Sequence, residues 1–510
     1  MIATLDERLA ENPMRVAIVG GGVGGLVAAR ELARPGIEVT LYEAGGRLGG
    51  SVAPLAVAGV TVDAGAESFA TRGGHVAALL AELGLTADIV EPNAAGAWLQ
   101  LPGRAVPMPK AGMLGVPSSP LAADVVAAIG WRAALRAYLD RIKPLLTIGR
   151  EHNLGALVRR RMGRAVLDNL VAPVTTGVYS APPELIDVDI ALPGLNGALT
   201  RTGSLSGAVA ALRSGGPSKA GSAVGGIRGG MHRLVVALAA DAEARGAVIE
   251  LNREAVALSC ADAVAMKQAG GSDPDVDHPA EPGRQTPRLV VSFADGTSAE
   301  VDAVLLDVPS AAALPLLAGL SPDLAASCAL DWPEATSVEL VTLVLDSPAL
   351  DSFPRGTGLL VSDRVAPAFC TAKAATHITA KWTWAREGLP AGRHIVRLSY
   401  GRAGRSSETA RWSDSELRER AIRDVSSLFN IPLAESNVVD FARVQWTNAQ
   451  PLAGIGQRDR LTALEGAIRG VEGVEATGSW IAGTGLASVI PHSRDAAARL
   501  RALRWKELAE

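Results

Sequence analysis

The feature that most constrains this chain is a glycine-rich turn near its start, inside the segment Val16–Gly50. The apolar run Val16–Val19 predicts a buried strand, and it leads into Gly20, Gly22 and Gly25 with the spacing G-x-G-x-x-G. In such a turn the first glycine permits a tight bend and the second lets a diphosphate approach the backbone. The third glycine lets the following helix pack closely on the strand. The pattern indicates a strand–turn–helix unit that holds a dinucleotide.

The residues after the turn support this interpretation. A helix is predicted over Leu26–Ala33, and a second strand over Glu38–Tyr42 is followed by Glu43. Glu43 lies 18 residues beyond Gly25, where a carboxylate accepts the ribose hydroxyl groups of a bound dinucleotide. A carboxylate there also disfavours NADP, because it repels the 2′-phosphate.

Composition narrows the class of protein. A chain of 510 residues with 48% hydrophobic residues is long enough for two or three domains with large cores. A net charge of −4 gives no reason to expect a nucleic-acid partner. Three distant cysteines and seven scattered histidines show neither disulfide nor metal-site spacing. No secretory signal and no apolar stretch long enough to cross a bilayer is found, so we expect a soluble, cytoplasmic protein without an integral membrane segment.

The order of predicted elements indicates one domain built from separated pieces. Helical spacing covers Leu121 to about Leu167, whereas Gly203–Gly230 and Ala269–Thr286 have the composition of surface loops. Alternating strand and helix patterns occur again later in the chain, with a hairpin signal at Asp295-Gly296 and a buried strand over Ala303–Leu306. These returns predict a discontinuous dinucleotide domain with a second domain inserted into it.

Several ordered motifs then make the prediction more specific. Arg47-Leu48-Gly49-Gly50 resembles the R-x-G-G motif of the flavin monooxygenase–amine oxidase superfamily. Within that superfamily, Asp63–Phe69 (DAGAESF), Gly103–Ser119 and Pro173–Asp189 resemble blocks of the oxygen-dependent porphyrinogen oxidases. The closing segment Gly478–Ile490 resembles the superfamily's C-terminal flavin motif, so the resemblance covers almost the whole chain in the correct order.

The resemblance implies an α/β fold, with a discontinuous Rossmann-like FAD-binding domain, an inserted α+β substrate domain and a helical subdomain. The implied boundaries are 14–90, 225–310 and 440–505 for the FAD-binding domain, 91–215 for a mainly helical lid subdomain, and 311–439 for a substrate-binding sheet domain. The segment Lys381–Arg402 is expected to belong to the substrate-domain sheet.

The glycine turn and the resemblance together imply a set of FAD-binding residues. They are Gly20, Gly21, Gly22, Val23, Gly24, Gly25, Glu43, Ala44, Arg47, Gly50, Ser51, Gly65, Ala66, Glu67, Ser68, Val256, Trp446, Thr484, Gly485 and Leu486. For Trp446, a place in the apolar core is the alternative to stacking near the flavin. Two positions depart from the family pattern: Ser51 replaces a frequent cation, and Ala453 replaces an aromatic residue.

The implied reaction is the oxidation of a porphyrinogen to a porphyrin. It removes six electrons in three rounds, with the flavin accepting hydride and dioxygen being reduced to three molecules of peroxide. The resemblance favours coproporphyrinogen III as the substrate, with protoporphyrinogen IX as the alternative. No catalytic acid or base is identified, and no metal is expected. The substrate's propionates need cations, for which Arg72, Lys110 and Arg402 are the candidates.

Other functions remain open at this stage. A flavin amine oxidase or a carotenoid-type desaturase would use the same scaffold, but DAGAESF argues against both, and four tyrosines are few for an aromatic pair at the flavin. A cofactor-binding scaffold or haem-pathway adaptor without turnover is the non-enzymatic alternative, and the intact Gly483-Thr484-Gly485 argues against it. A downstream haem-pathway enzyme is a candidate partner. For Leu121–Leu146, packing against the substrate domain is favoured over contact with a membrane surface.

Overall fold

The computed structural model describes residues 12–144, 150–214, 224–260, 289–403, 408–450 and 453–509. Its strands are β1 Met14–Val19, β2 Ile37–Glu43, β3 Pro54–Val57, β4 Val60–Asp63, β5 Phe69–Ala70, β6 Ile89–Val90, β7 Trp98–Leu101, β8 Arg104–Pro107, β9 Gly112–Met113, β10 Val116–Pro117, β11 Val224–Ile227, β12 Val248–Leu251, β13 Ala255–Cys260, β14 Leu289–Phe293, β15 Ser298–Val301, β16 Ala303–Leu306, β17 Thr336–Asp346, β18 Gly358–Val361, β19 Ala374–His377, β20 Arg393–Tyr400, β21 Val438–Gln450 and β22 Val474–Ala476.

The helices complete the described elements. They are α1 Val23–Leu32, α2 His75–Glu82, α3 Ala123–Ile129, α4 Trp131–Tyr138, α5 Leu154–Met162, α6 Arg164–Val166, α7 Ala172–Tyr179, α8 Val188–Ala191, α9 Leu195–Thr202, α10 Leu205–Ser214, α11 His232–Ala244, α12 Ser310–Ala318, α13 Pro322–Cys328, α14 Ile378–Lys381, α15 Thr383–Glu387, α16 Asp414–Phe429, α17 Gln457–Arg469, α18 Ser479–Ala482 and α19 Leu486–Ala509. A π-helical turn, Leu167–Val171, joins α6 to α7.

A five-stranded parallel sheet of order β12-β2-β1-β16-β22 contains the glycine turn. Its central strands β1 and β16 pair in the register Val16↔Ala303 and are almost fully buried. Burial on both faces explains why these strands are continuous apolar runs rather than alternating ones. Helices α1, α11 and α19 pack on one face with a shared apolar core. The predicted α/β Rossmann-like fold class is confirmed.

A seven-stranded mixed sheet of order β21-β17-β20-β19-β18-β7-β8 forms the second large unit. On one face, Val341 and Leu343 of β17 pack with Leu417 and Val425 of α16 in a separate apolar core. The predicted strand character of Ser337–Asp346 is confirmed, because it lies within β17.

The implied domain boundaries remain a proposal, and sheet membership differs from them at both ends. Strands β7 and β8 come from the segment assigned to the helical subdomain, yet they form one edge of the seven-stranded sheet. Strand β21 enters the last segment assigned to the FAD-binding domain, yet it pairs with β17. The segment Lys381–Arg402 starts in α14 and α15 and joins the sheet only at β20.

The helical layer contains α3 to α10 around its own apolar core. The prediction of a surface loop over Gly203–Gly230 is wrong where the structure describes this segment, because the segment contains α10 and β11. In α10, Leu205, Ala208 and Val209 lie on one buried face, and their packing stabilises the helix. The glycine and serine content of the segment had favoured a loop instead. The other predicted loop, Ala269–Thr286, lies outside the described residues.

Helix α4 and the turn after it have a more exposed apolar face than we expected. Ala134 and Ala137 pack into the helical core, whereas five large apolar side chains on the outer side are exposed. These are Trp131 (58%), Leu135, Tyr138, Leu139 and Ile142 (75%). Packing against the protein therefore accounts for only one face of this segment. Among the described residues, no helix has the length and apolar character needed to cross a bilayer.

Candidate functional site

The glycine turn adopts a conformation that other residues cannot reproduce. Gly20 has a φ of +105°, and a Cβ there would lie 2.2 Å from the carbonyl oxygen of Asp307. A Cβ on Gly25 would lie 2.1 Å from the carbonyl oxygen of Gly20. These two glycines therefore allow β1, α1 and the end of β16 to approach one another. Helix α1 begins at Val23 with Gly22 as its N-cap, so its first N–H groups face the turn.

Glu43 occupies the predicted position at the end of β2. Its carboxylate accepts hydrogen bonds from the backbone N–H groups of Gly21 and Gly45, both at 2.7 Å. Ala44 lies between Glu43 and Gly45 and thus belongs to the same bend. The two bonds fix the carboxylate beside the glycine turn and leave oxygen lone pairs available for hydroxyl groups of a ligand.

A cavity of about 620 Å³ starts at the glycine turn and extends to the seven-stranded sheet. The predicted FAD-binding residues that line it are Gly22, Val23, Gly24, Arg47, Gly50, Ser51, Gly65, Ala66, Ser68, Trp446, Thr484, Gly485 and Leu486. The predicted residues that do not line it are Gly20, Gly21, Gly25, Glu43, Ala44, Glu67 and Val256. The fold thus gathers residues from three distant parts of the chain around one volume.

Glu67 lies behind the cavity wall in a partly buried ion-pair cluster. Its carboxylate contacts the ammonium group of Lys381 and the guanidinium of Arg397, the latter at 2.8 Å. Arg397 also donates to the carbonyl oxygens of Asp63 and Gly65. Burial opposes ionisation of Glu67, but the charges of Lys381 and Arg397 outweigh it and hold its pKa below the usual range. The cluster therefore fixes the predicted flavin-contacting loop onto the large sheet.

Trp446 lines the cavity and is held there by contacts with neighbouring residues. Its indole N–H donates to the carbonyl oxygen of Ala64 at 3.0 Å, and the guanidinium of Arg47 lies 5.2 Å from its ring centroid. The indole is thus held in place next to Gly65, with part of the ring facing the cavity.

Val256 is placed differently from the other predicted cofactor residues. It lies on β13, a strand of a separate three-stranded antiparallel sheet, and its side chain is 52% exposed. The adjacent Ala255 is partly buried against an apolar core. The chain just before it, at Asn252 and Arg253, donates backbone hydrogen bonds to Gly45 and Glu43. The strand therefore adjoins the end of β2, although the Val256 side chain points away from the interior.

The three candidate substrate cations lie in different surroundings. Arg72 is exposed and donates to the Ser488 hydroxyl at 3.0 Å. Arg402 pairs with Asp363 at 2.8 Å, so its charge is already compensated. Lys110 is exposed in the hairpin region before α3 and does not line the cavity at the glycine turn.

Arg72 lines a second cavity of about 340 Å³ that adjoins the first. Both cavities share Ser479, Trp480 and Thr484 as lining residues. The second cavity also contains the charged side chains of Arg458, Asp189 and Glu465. Its polar lining contrasts with the apolar wall of the first cavity, which includes Val338, Leu340 and Leu360.

The comparisons with known proteins agree with this geometry. The family described as flavin containing amine oxidoreductase matches residues 23–501. The chain belongs to this family. It is 28% identical to the coproporphyrinogen III oxidase of Mycobacterium leprae (strain TN) over 450 residues, covering 87% of this chain and 88% of the relative. The coproporphyrinogen III oxidase of Bacillus subtilis (strain 168) is 25% identical over 498 residues, covering 96% and 98%.

The fold comparison extends over the same length. A crystal structure of a protein from Exiguobacterium sp. 255-15 has a TM-score of 0.75 and 23% identity, covering 98% of this chain and 99% of that chain. The likeness supports the arrangement of both sheets and the helical layer around the cavity. As a flavin-containing amine oxidoreductase, the chain is an oxidoreductase whose cofactor is FAD.

The residues of the cavity fit FAD by shape. Gly22 and Gly24 have no room for a Cβ, which would lie 2.5 Å and 2.7 Å from the Asp307 carboxylate oxygens. The glycine turn, the first N–H groups of α1 and the Glu43 carboxylate are the donor and acceptor set that a dinucleotide requires. The cavity then continues past Trp446 to Thr484, which leaves space for the flavin end of the cofactor.

Asp307 and Lys373 are charged cavity residues that no sequence pattern predicted. Asp307 follows β16 directly and lies under the glycine turn. Lys373 precedes β19, is 1% exposed, and donates to the Ser180 hydroxyl. Burial and the neighbouring Arg402 lower the pKa of Lys373 to about 7. Neither residue belongs to a local motif. The only sequence signal for them is a charged residue beside a strand that is otherwise apolar.

One group of potential metal ligands is explained by its hydrogen bonds. Single ligand atoms of His152, Asp187 and Asp189 lie within 4.8 Å of one another. Asp187 caps α8 and accepts from the N–H of Gly456. Asp189 accepts from the side-chain amide of Asn196 at 2.9 Å. These contacts account for the position of both carboxylates without an ion.

Proposed function

We propose that this flavin-containing oxidoreductase oxidises coproporphyrinogen III to coproporphyrin III in haem biosynthesis, with dioxygen as the electron acceptor. The observation that carries the proposal is the match to coproporphyrinogen III oxidases over nearly the full length of both chains. Protoporphyrinogen IX is the alternative substrate. A cytoplasmic location and transfer of the product to a downstream haem-pathway enzyme belong to the same proposal.

The cavity supplies what such a substrate needs. FAD, when bound, accepts a hydride in each of three rounds and is restored by dioxygen. The walls formed by β17 and β18 offer Val338, Leu340 and Leu360 as an apolar surface for a large macrocycle. Gly177 keeps α7 close to this wall, because a Cβ there would lie 2.6 Å from the Leu360 side chain.

Recognition of carboxylate groups falls to Arg72 in this proposal. Lys381 and Arg397 face Glu67, and Arg402 faces Asp363, so their charges are compensated within the protein. Arg72 forms no ion pair within the described part of the chain and contacts a hydroxyl group instead. Its guanidinium is therefore available to pair with a propionate in a bidentate manner.

The proposal is tested with the purified, FAD-loaded protein. Coproporphyrinogen III and protoporphyrinogen IX are supplied separately under air, and porphyrin fluorescence and peroxide are followed. We expect faster turnover of coproporphyrinogen III, three molecules of peroxide for each porphyrin, and no turnover without oxygen. Faster turnover of protoporphyrinogen IX would reverse the substrate order. A protein that holds FAD but oxidises neither porphyrinogen would refute the proposed activity.

A further inference from the structure

Asp307 lies where the cofactor's diphosphate is expected to bind. It directly follows β16, and its backbone N–H donates to the carbonyl oxygen of Val19 at 2.8 Å. Because β16 neighbours β1 in the parallel sheet, their carboxyl ends meet at the same edge. The Asp307 side chain therefore projects to the start of α1, which is the helix that follows the glycine turn.

The carboxylate already uses hydrogen-bond donors of that helix. Its Oδ2 accepts from the N–H of Gly25 at 2.6 Å, and the N–H of Gly24 also favours the ionised carboxylate. Asp307 lines the same cavity as Gly22 and Gly24. Helix N-terminal N–H groups and the positive end of the helix dipole are the groups that normally attract a bound phosphate. The Asp307 carboxylate therefore occupies the electropositive N-terminus of α1, where the diphosphate of the cofactor is also expected to bind.

The other charges near Asp307 make this sharing unfavourable when the carboxyl is ionised. Glu43, at the end of β2, is the charged group that acts on it, and it has the same sign. From α19, the neutral hydroxyl of Ser493 approaches the same helix start at Gly24. Asp307 forms no salt bridge in the part of the chain that the structure describes. Burial and Glu43 raise its pKa to about 7, although the N–H groups of Gly25 and Gly24 oppose the shift.

We infer that FAD binding is coupled to protonation of the Asp307 carboxyl group, which takes up one proton from solvent when the cofactor binds above neutral pH. The neutral carboxylic acid accepts from the α1 N–H groups and donates its O–H to a phosphate oxygen. The ionised form, in contrast, repels the diphosphate. No bond other than O–H changes, and no electron is transferred. The inference rests on the family's FAD and is independent of the substrate.

The test measures FAD affinity rather than activity. The apoprotein is titrated with FAD from about pH 6 to about pH 9, and the quenching of flavin fluorescence gives Kd. We expect a nearly constant Kd below pH 7 and a rise of about tenfold for each pH unit above it. Calorimetry at pH 8 in two buffers of different ionisation enthalpy should show uptake of about one proton per FAD.

Two variants separate Asp307 from other groups. Asp307→Asn removes the charge but keeps the size, and it should bind FAD with a Kd that hardly changes over the same pH range. Asp323→Asn changes an exposed carboxylate on α13 and should keep the pH dependence of the unmodified protein. If Asp307→Asn does not fold, proton uptake by the unmodified protein still decides the question.

Two outcomes would overturn the inference. One is a Kd for the unmodified protein that is independent of pH, with no proton uptake. The other is an Asp307→Asn variant that keeps the same pH dependence. Porphyrinogen turnover does not enter these measurements, so failure of the proposed reaction leaves the result unaffected. Conversely, pH-independent FAD binding would leave the proposed reaction standing.

Discussion

At the scale of single residues, the cations near the two cavities fall into two groups: those that pair with a carboxylate of the protein and those that do not. Lys381, Arg397 and Arg402 each face a carboxylate, so they stabilise the protein itself. Arg72 faces Ser488 at the second cavity, which shares Ser479 and Thr484 with the predicted flavin end of the first. A substrate that occupies both volumes would bring a carboxylate to Arg72.

Arg72→Ala should raise the apparent KM for coproporphyrinogen III by about tenfold, because one charge-assisted contact with a propionate is lost. Flavin content should not change. The measurements are porphyrin fluorescence and the absorbance of bound FAD. Arg164→Ala, which removes an arginine whose side chain is 84% exposed on α6, serves as the matched control and should leave KM unaltered. Loss of flavin in Arg72→Ala would instead place this residue in the cofactor site.

Lys373 gives a prediction about stability and pH. Burial, assisted by Arg402, lowers its pKa from 10.5 in the unfolded chain to about 7, while Asp363 acts in the opposite direction. Between those values the unfolded chain binds more protons than the folded protein, so stability rises with pH across this window. Below about pH 7 the whole penalty for burying the ammonium group is present.

Lys373→Met should therefore raise the free energy of unfolding by about 2–4 kcal/mol at pH 7. The gain should shrink towards zero as the pH approaches 10.5, the value for the unfolded chain. Urea denaturation at several pH values measures it. Lys110→Met, at an exposed position, should show no such gain at any pH. A gain that is the same at all pH values would mean that packing rather than charge explains the change.

At the scale of elements, the strand–turn–helix unit depends on contacts that glycine alone permits. Helix α1 starts at Val23, three residues before the predicted Leu26, since Val23, Gly24 and Gly25 extend the helix into the turn. Because glycine is unfavourable inside a helix, a prediction from helix propensity begins α1 too late in the sequence. The close approach of Gly25 to Gly20 is what keeps the first turn of α1 against β1.

Gly25→Ala should lower the free energy of unfolding by about 2–4 kcal/mol and release FAD, because its Cβ would collide with the backbone carbonyl of Gly20. Gly466→Ala is the control within another helix, α17, where a Cβ meets no atom within 4 Å. That variant should gain about 0.5–1 kcal/mol from higher helix propensity. Thermal denaturation and flavin release measure both, and equal effects of the two changes would contradict the steric explanation.

At the scale of the whole molecule, the Glu67 cluster joins the predicted flavin-contacting loop to the seven-stranded sheet. Glu67 comes from the segment after β4, Lys381 ends α14 and Arg397 lies in β20. The cavity lies between these parts, so their relative position sets its shape. A buried carboxylate opposite two cations stabilises this arrangement only while it is ionised.

Glu67→Gln should destabilise the protein by about 3 kcal/mol, because two largely desolvated cations lose their counter-charge. Since its pKa is held below the usual range, the unmodified protein keeps this stabilisation above about pH 4.5 and loses it as the pH falls through the lowered value. Glu334→Gln, at an exposed position, should have little effect. Denaturant unfolding at pH 7 and pH 4 measures the difference, and equal losses at both pH values would exclude an ionic origin.

The cofactor-binding unit and the fold class could be predicted from the sequence. The turn Gly20–Gly25, Glu43 and the closing Gly478–Ile490 segment were readable because their functions depend on local backbone geometry and short-range spacing. Buried strands such as Ala303–Leu306 were readable for a similar reason, since a parallel sheet covered on both faces needs continuous apolar runs.

The pairing of charged groups, in contrast, depends on the folded structure. Asp307 and Gly25 are 282 residues apart, and Glu67 and Lys381 are 314 residues apart. The addition of β7 and β8 to the large sheet likewise depends on long-range pairing with β18. Such contacts arise from packing of distant segments, which local periodicity does not encode. The sequence therefore revealed that FAD is bound, whereas the structure placed Asp307 beside the glycine turn and Arg72 at the second cavity without an ion pair among the described residues.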